Sequence, residues 1–359
     1  MKLKLIKEKE KQLVNKKKII DKKILSISLC TLLTFMITNY SSYDIEFSDS
    51  NIKDKDYYLK MLNTNQTIVS LKKNYPSSNV IDCMTIENYK MNIYTDFEIS
   101  DELREKIETL IDDYPNRNGF YVETVDGNLK FGYNEDVVIF GASSVKAPYA
   151  LYCYKELDKG NGSLDEMMVY EGRFTRGGTG NMQFNAVVGE EYSLKYLLYE
   201  SIYSSDNIAY IMLQERFGKN GYNEMLNNLN CHNSKLSNGR QWIDTTPKEL
   251  TTIWKEIYNY VGEDYDHPFY YSLDVARTNV LDECVNVNTI HKGGWTDDAY
   301  NESGIVYGNN PYIITVMTNS GGNSIDQKYV RDVIKVCDEI VKEYSLSKNK
   351  TYSLHNWQV

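Results

Sequence analysis

Asp126-Gly127 stands between two runs that alternate with period two. Phe120, Val122 and Thr124 alternate with Tyr121, Glu123 and Val125 before it, and Leu129, Phe131 and Tyr133 recur after it. Both turn residues must tolerate φ > 0, so this pattern predicts a tight antiparallel hairpin. Before it, Leu103, Ile107, Leu110 and Ile111 form one helical stripe, ended by Pro115. Near the C-terminus, residues 290–294, 304–307 and 312–318 are rich in β-branched or aromatic residues and read as strands. Asn309-Asn310-Pro311 turns between the last two. Ser324-Ile-Asp-Gln327 reads as a capping box, opening a helix with Val330, Val333, Ile334, Cys337, Ile340 and Val341 on one face. The middle of the chain, to about Tyr260, is helical in composition and punctuated by glycines. There Thr246-Pro247-Lys248-Glu249 is another capping box, with proline at the first helical position. Strands at both ends and helices between predict an α+β fold. An antiparallel β-sheet flanked by helices joins the two ends, with an all-helical subdomain inserted.

Charge divides the chain. Residues 1–23 hold ten lysines against Glu8, Glu10 and Asp21, a net of +7 that leaves −17 for the remainder. An acidic body argues against nucleic acid as a partner. From Ile24 to Tyr43 no side chain is charged, and a mainly apolar stretch of about fifteen residues follows the basic run. The pair predicts a membrane partner for the N-terminal segment: a single-pass signal-anchor with the basic side cytoplasmic and the body outside the cell membrane. A cleaved signal, leaving a secreted body, is the alternative, although no small-x-small cleavage site follows. The expected divisions are a basic segment (1–23), the anchor (24–40), a polar stalk (41–98), the folded domain (99–346) and a tail (347–359). The six cysteines contain no C-x-x-C pair, and His232, His267, His291 and His355 form no ligand spacing, so no metal or cofactor is expected. His291 reads as a wall of the cleft.

Gly141-Ala-Ser-Ser-Val-Lys146 follows the hairpin and leads into a helical segment. Ser143 and Lys146, three residues apart, share a helical face. A hydroxyl beside an amine that can take its proton becomes a nucleophile. The spacing itself recurs at Ser50/Lys53, Ser70/Lys73, Ser345/Lys348 and Ser347/Lys350, so Ser143 must be distinguished by partners elsewhere. Two are visible in a fixed order: Ser205-Asp206-Asn207, then Lys292-Gly293-Gly294-Trp295 at a predicted strand.

These three motifs, with Asp244-Thr-Thr-Pro247 before a helix and Gly304-Ile-Val-Tyr307 after the lysine, resemble the class A β-lactamase-like serine hydrolases over residues 100–345. The resemblance implies an acyl-enzyme on Ser143, with Lys146 as base and Ser205 passing the proton to the leaving nitrogen. It also implies that the Asn207 amide holds Lys146 and a substrate amide, that Lys292 attracts a substrate carboxylate, and that the Ser143 and Trp295 N–H groups form an oxyanion hole. Gly293 and Gly294 allow the strand to approach the ligand. Lys146 must lose about 3 pKa units to act near neutrality, which burial and the Lys292 charge can supply. The implied substrate is a β-lactam or a peptidoglycan stem-peptide amide.

The chain departs from the family pattern twice. The family carries a glutamate upstream of the Asp-Thr-Thr-Pro segment, whereas residues 231–243 here contain no acid. Gly293 replaces a threonine whose hydroxyl would meet the substrate carboxylate. Asp244 and Glu249 read as loop-closing and capping residues. A D,D-peptidase-like enzyme, or a wall-binding protein on the same scaffold, is the alternative.

Overall fold

A computed structural model describes residues 90–355, apart from 96, 173–177 and 278–279. The basic segment, the anchor and nearly all of the stalk lie outside the described residues, as do Ser50/Lys53 and Ser70/Lys73. Among the described residues no helix is long and apolar enough to cross a membrane.

The strands are β1 (Asn92–Ile93), β2 (Asn118–Thr124), β3 (Lys130–Tyr133), β4 (Ile139–Phe140), β5 (Met167–Val169), β6 (Glu191–Ser193), β7 (Asp244–Thr245), β8 (Thr289–His291), β9 (Gly294–Thr296), β10 (Ala299–Val306) and β11 (Tyr312–Thr318). The helices are α1 (Asp101–Asp113), α2 (Lys146–Asp158), α3 (Met182–Asn185), α4 (Leu194–Tyr203), α5 (Asn207–Phe217), α6 (Asn220–Asn228), α7 (Pro247–Val261), α8 (Pro268–Asp274), α9 (Val280–Cys284) and α10 (Ser324–His355). The main sheet is antiparallel in the order β1-β3-β2-β11-β10-β8, with β9 also on β10. The early hairpin and the late strands thus meet at β2–β11, and helices α2–α8 fill the interval, which is the α+β arrangement read from the sequence.

Two apolar cores lie on the two faces of this sheet. Ile313 and Met317 face one core with α2, α4, α5 and α7, while Tyr312, Ile314 and Val316 face the other with α1, α9 and α10. This is the period-two alternation of a strand covered on both sides. β2 is buried along its whole length for the same reason. Helix α7 is keyed to the sheet by Thr251 Oγ1 to Thr315 Oγ1 (2.9 Å) and by Trp254 Nε1 to Ser303 Oγ (2.7 Å). Burying these polar atoms costs little because each finds a partner.

Several local expectations need correction. The hairpin loop is wider than two residues: Thr124 N–H closes on Leu129 O, and of the Asp-Gly pair only Gly127 has positive φ (72°). The Asp126 carboxylate holds this loop, accepting from Thr124 Oγ1 (2.7 Å) and Asn128 N–H (3.0 Å). The stalk ends before residue 98, because Met91 is buried and Asn92–Ile93 adds an edge strand to β3. The tail is not separate from residue 347 onward. No proline or glycine interrupts the sequence there, and α10 continues to His355. Its cap is Asn323 rather than Ser324: Asn323 Oδ1 accepts from Ile325 N–H (2.8 Å), and Asp326 Oδ2 accepts from Asn323 N–H (3.0 Å). That is a reciprocal box displaced by one residue. The strand expected over 290–294 is two strands, β8 and β9, in one register opposite β10, with Lys292 and Gly293 between them. Cys153, Cys231, Cys284 and Cys337 are unpaired.

Candidate active site

The segment bearing Ser143 is held from behind by the chain on both sides. β4 pairs with β7, and Gly141 N–H donates to Ile243 O (2.9 Å). Asn301 of β10 donates its side-chain amide to Phe140 O (2.8 Å) and Gly141 O (3.1 Å). Between these anchors Ala142 sits at φ +47°, a conformation that costs a non-glycine residue about 1–2 kcal/mol. A 3-10 turn over Ala142–Val145 then feeds α2 at Lys146. Ser144, not Ser143, spends its hydroxyl on this turn, donating to Gly141 O (2.6 Å). Ser143 is partly exposed and makes no capping bond. At the other described matches to this spacing, Ser345 and Ser347 donate to Val341 O and Tyr344 O within α10. Such back-bonding is how an ordinary helical serine is satisfied.

Lys146 is fully buried. Its Nζ donates to Ser205 O (2.5 Å) and Asn207 Oδ1 (2.7 Å) and lies 3.3 Å from Ser205 Oγ. Burial, reinforced by the Lys292 charge and opposed by Asp206, holds its pKa well below that of a free lysine. Lys292 is also fully buried; burial brings its pKa down to about 8, and the Glu302 charge works in the opposite direction. Its Nζ donates to Gly293 O (3.0 Å).

The Ser205–Asn207 turn is positioned by residues the motifs did not reveal. Ser205 has φ +56°. Asp206 caps α5 through Ile208 N–H (2.8 Å) and Ala209 N–H (2.9 Å), and its second oxygen accepts from Met182 N–H (2.7 Å). Thr179 Oγ1 donates to Ser205 O (2.9 Å), and Asn207 N–H donates to Thr179 O (3.3 Å). Residues 178–182 therefore lie flat against the turn. A Cβ on Gly178 would stand 2.1 Å from Asn207 Nδ2, and one on Gly180 2.0 Å from Asp206 Oδ2. Gly178 and Gly180, read from the sequence as punctuation, are there because nothing larger fits.

On the opposite wall, Gly294 presses against the same serine segment: an added Cβ would meet Ser144 N at 2.5 Å and Ser143 N at 2.8 Å. The structure thus brings Ser143, Lys146, Ser205, Asn207, Lys292 and Gly294 together, with Gly293 and Trp295 on either side of Gly294 in the chain. The Trp295 indole is half-exposed, donates to Gly321 O (3.0 Å) and rests on Gly322. His291 is not a cleft wall. It is wholly buried, on the strand face opposite Lys292, with Nδ1 3.0 Å from Glu302 Oε1. Arg277 is exposed, stacks over the Tyr203 ring (4.6 Å) and donates to Asn181 Oδ1 (3.1 Å). No group of residues suited to a metal occurs among the described residues.

Residues 231–243 are tied down by Glu249. Its carboxylate accepts from the N–H groups of His232 (2.9 Å), Asn233 (3.0 Å) and Ser234 (2.9 Å) and from Ser234 Oγ (2.6 Å). Asp244 pairs with Arg240 (3.0 Å).

A fold with this sheet, helical lobe and cleft has known counterparts. The model of the β-lactamase enzyme family matches residues 102–343, and the chain belongs to that family. It is a serine β-lactamase-like hydrolase. Among solved structures, PBP-A matches with TM-score 0.62 and 19% identity, covering 70% of this chain and 100% of that one. The TLA-1 extended-spectrum β-lactamase matches at 0.61 and 20%, covering 68% and 99%. The β-lactamase from Sphaerobacter thermophilus matches at 0.58 and 17%, covering 66% and 95%. At these identities the structural matches speak for the fold. A search among curated proteins found no match.

Proposed function

We propose that this chain is an extracytoplasmic hydrolase that forms an acyl-enzyme on Ser143 and cleaves a β-lactam or a related amide. The observation that carries the reading is the clasp on Lys146. Ser205 O and Asn207 Oδ1 can only accept, so they take both N–H bonds of a neutral amine. The lone pair is then free for a hydroxyl proton. Burial and the neighbouring cation favour that neutral form.

The steps follow from the groups present. Lys146 takes the Ser143 proton while Oγ bonds to the amide carbon. The N–H groups of Ser143 and Trp295 receive the oxyanion; such a donor typically contributes about 10²–10³ in rate. The C–N bond breaks, and the proton passes through Ser205 to the leaving nitrogen. Water then cleaves the ester and restores the serine. Lys292 attracts a substrate carboxylate, and Asn207 offers its amide N–H. A point variant of PBP-A is recorded as an acyl-enzyme complex with penicillin G, chemistry of the class proposed here. The outward location rests on the basic run and apolar stretch of residues 1–43.

Loop 231–243 favours a second reading, a D,D-peptidase-like enzyme acting on peptidoglycan stem peptides. With no acid in the loop and Glu249 engaged by the loop's own donors, no carboxylate there is free to activate a deacylating water. Intact-mass measurement over time with a penicillin separates the two. A transient adduct on Ser143 with product turnover fits a β-lactamase, and a persistent one fits the peptidase-like enzyme. No adduct, together with wall-peptide cleavage unchanged in Ser143→Ala, overturns both.

A further inference from the structure

Glu200 carries no part of the chemistry above, yet it is a carboxylate buried to 4% exposure at the end of α4. Burying a carboxylate costs several kcal/mol unless hydrogen bonds compensate, and an apolar side chain could fill the space without that cost. Its oxygens accept from Ser204 Oγ (2.5 Å), and each lies within reach of the Asn181 amide nitrogen (3.2 and 3.0 Å). Its backbone carbonyl accepts from Asp206 N–H (2.9 Å). These contacts bracket Ser205, whose left-handed backbone is uncommon for a serine.

The consequences can be followed atom by atom. A carboxylate only accepts, so it fixes the direction of both neighbours. The Ser204 hydroxyl must point its proton at Glu200, which leaves its lone pair for Asn181 N–H (3.3 Å). The Asn181 amide must turn its nitrogen to Glu200, which leaves Oδ1 for the Arg277 guanidinium (3.1 Å). Residues 178–182 are thereby locked to the end of α4. From that segment Thr179 reaches back to Ser205 O, the oxygen that Lys146 also uses.

We propose that Glu200 is a positioning residue, which through Ser204 and Asn181 holds Ser205 in the pose from which it exchanges a proton with Lys146 and the leaving nitrogen. The role rests on the acyl-enzyme reading above. Glu200→Gln keeps the volume but replaces one acceptor oxygen by an N–H, which turns a donor toward the Asn181 amide nitrogen or the Ser204 hydroxyl.

The test is acylation by a penicillin, followed by intact mass on the full chain purified in mild detergent, in wild type, Glu200→Gln, Glu200→Ala and Ser204→Ala. Rates are taken as a function of penicillin concentration, so the limiting acylation constant separates from half-saturation. A misplaced proton-transfer group lowers the limiting constant about tenfold or more and leaves half-saturation nearly unchanged. Ser204→Ala shifts it in the same direction by less, and Ser204→Thr, which keeps the hydroxyl, restores it. A purely structural role lowers the yield of folded protein and the melting temperature, while the molecules that remain folded acylate at the wild-type constant; that result overturns the proposal. If wild type acylates and Glu200→Gln matches it, only this role fails. If wild type is not acylated at Ser143, the acyl-enzyme reading fails and takes the role with it.

Discussion

The serine segment 141–146 and the loop 231–243 are joined by the β4–β7 ladder, but they are built in opposite ways. The first accepts unfavourable features: a left-handed alanine, a wholly buried lysine, and a second buried lysine across the cleft. None of these helps the fold, and each belongs to the site proposed for acyl transfer. The second is relaxed, because its donors meet the carboxylate of Glu249 and its Arg240 pairs with Asp244 just beyond it. Strain and desolvation thus gather in the first segment and not in the second. The contrast teaches that the segment proposed to carry acylation is the costly one to fold, while the loop that could serve deacylation is occupied with holding itself together.

The contrast can be broken by substitution. Ser143→Ala is expected to remove acylation entirely, with no adduct seen by mass. Lys146→Met should slow acylation by about 10²–10⁴, the usual contribution of a positioned base, while leaving the fold intact by circular dichroism. Next comes pH. The limiting rate needs Lys146 neutral and capture of a carboxylate needs Lys292 charged. Acylation efficiency should therefore fall on the acid side as Lys146 is protonated and on the alkaline side near about 8 as Lys292 loses its proton. The sign for stability is opposite to that of a salt-bridged lysine. Lys292 binds its proton less well folded than unfolded, so this group's penalty is complete below about 8 and disappears as pH rises toward the free-lysine value of 10.5. Lys292→Met should remove that rise and lift the neutral-pH melting temperature while weakening penicillin capture. In the loop, Glu249→Gln should cost about 1–3 kcal/mol by denaturant titration, with the acylation constant nearly unchanged. Smallest is Lys348→Ala, which removes a partly exposed pair with Asp126 worth about 0.2–1 kcal/mol and reports on the end of α10.

Sequence patterns that depend on neighbours in the chain carried most of the fold. The α1 stripe, the strand at 312–318, the Thr246 cap and the order of strands around a helical middle were all legible because period and capping are local properties. The errors lie where distant segments decide. Asp126 meets Lys348 more than two hundred residues away, and the sheet recruits Asn92–Ile93 from a stretch with weak periodicity. The site divides in the same manner. The three motifs named the residues facing the cleft, but Thr179, Asn181, Glu200 and Asn301 stand behind them with no motif of their own. Only the glycines at 178 and 180 hinted at the first two. A side chain that acts by holding another backbone segment leaves its trace in three dimensions, not in spacing along the chain.

The charge of buried Lys292 lowers the proton affinity of Lys146, which would make the proposed base responsive to its substrate. When a carboxylate settles on Lys292, the positive field that disfavours a proton on Lys146 is cancelled in part. The amine then becomes a stronger proton acceptor at the moment a substrate has arrived, and a weaker one when the cleft is empty. An acidic limb that lies higher for the bound enzyme than for the free one would be the kinetic mark of that dialogue. The empty enzyme thus holds this amine neutral through the same repulsion that a bound carboxylate would relieve.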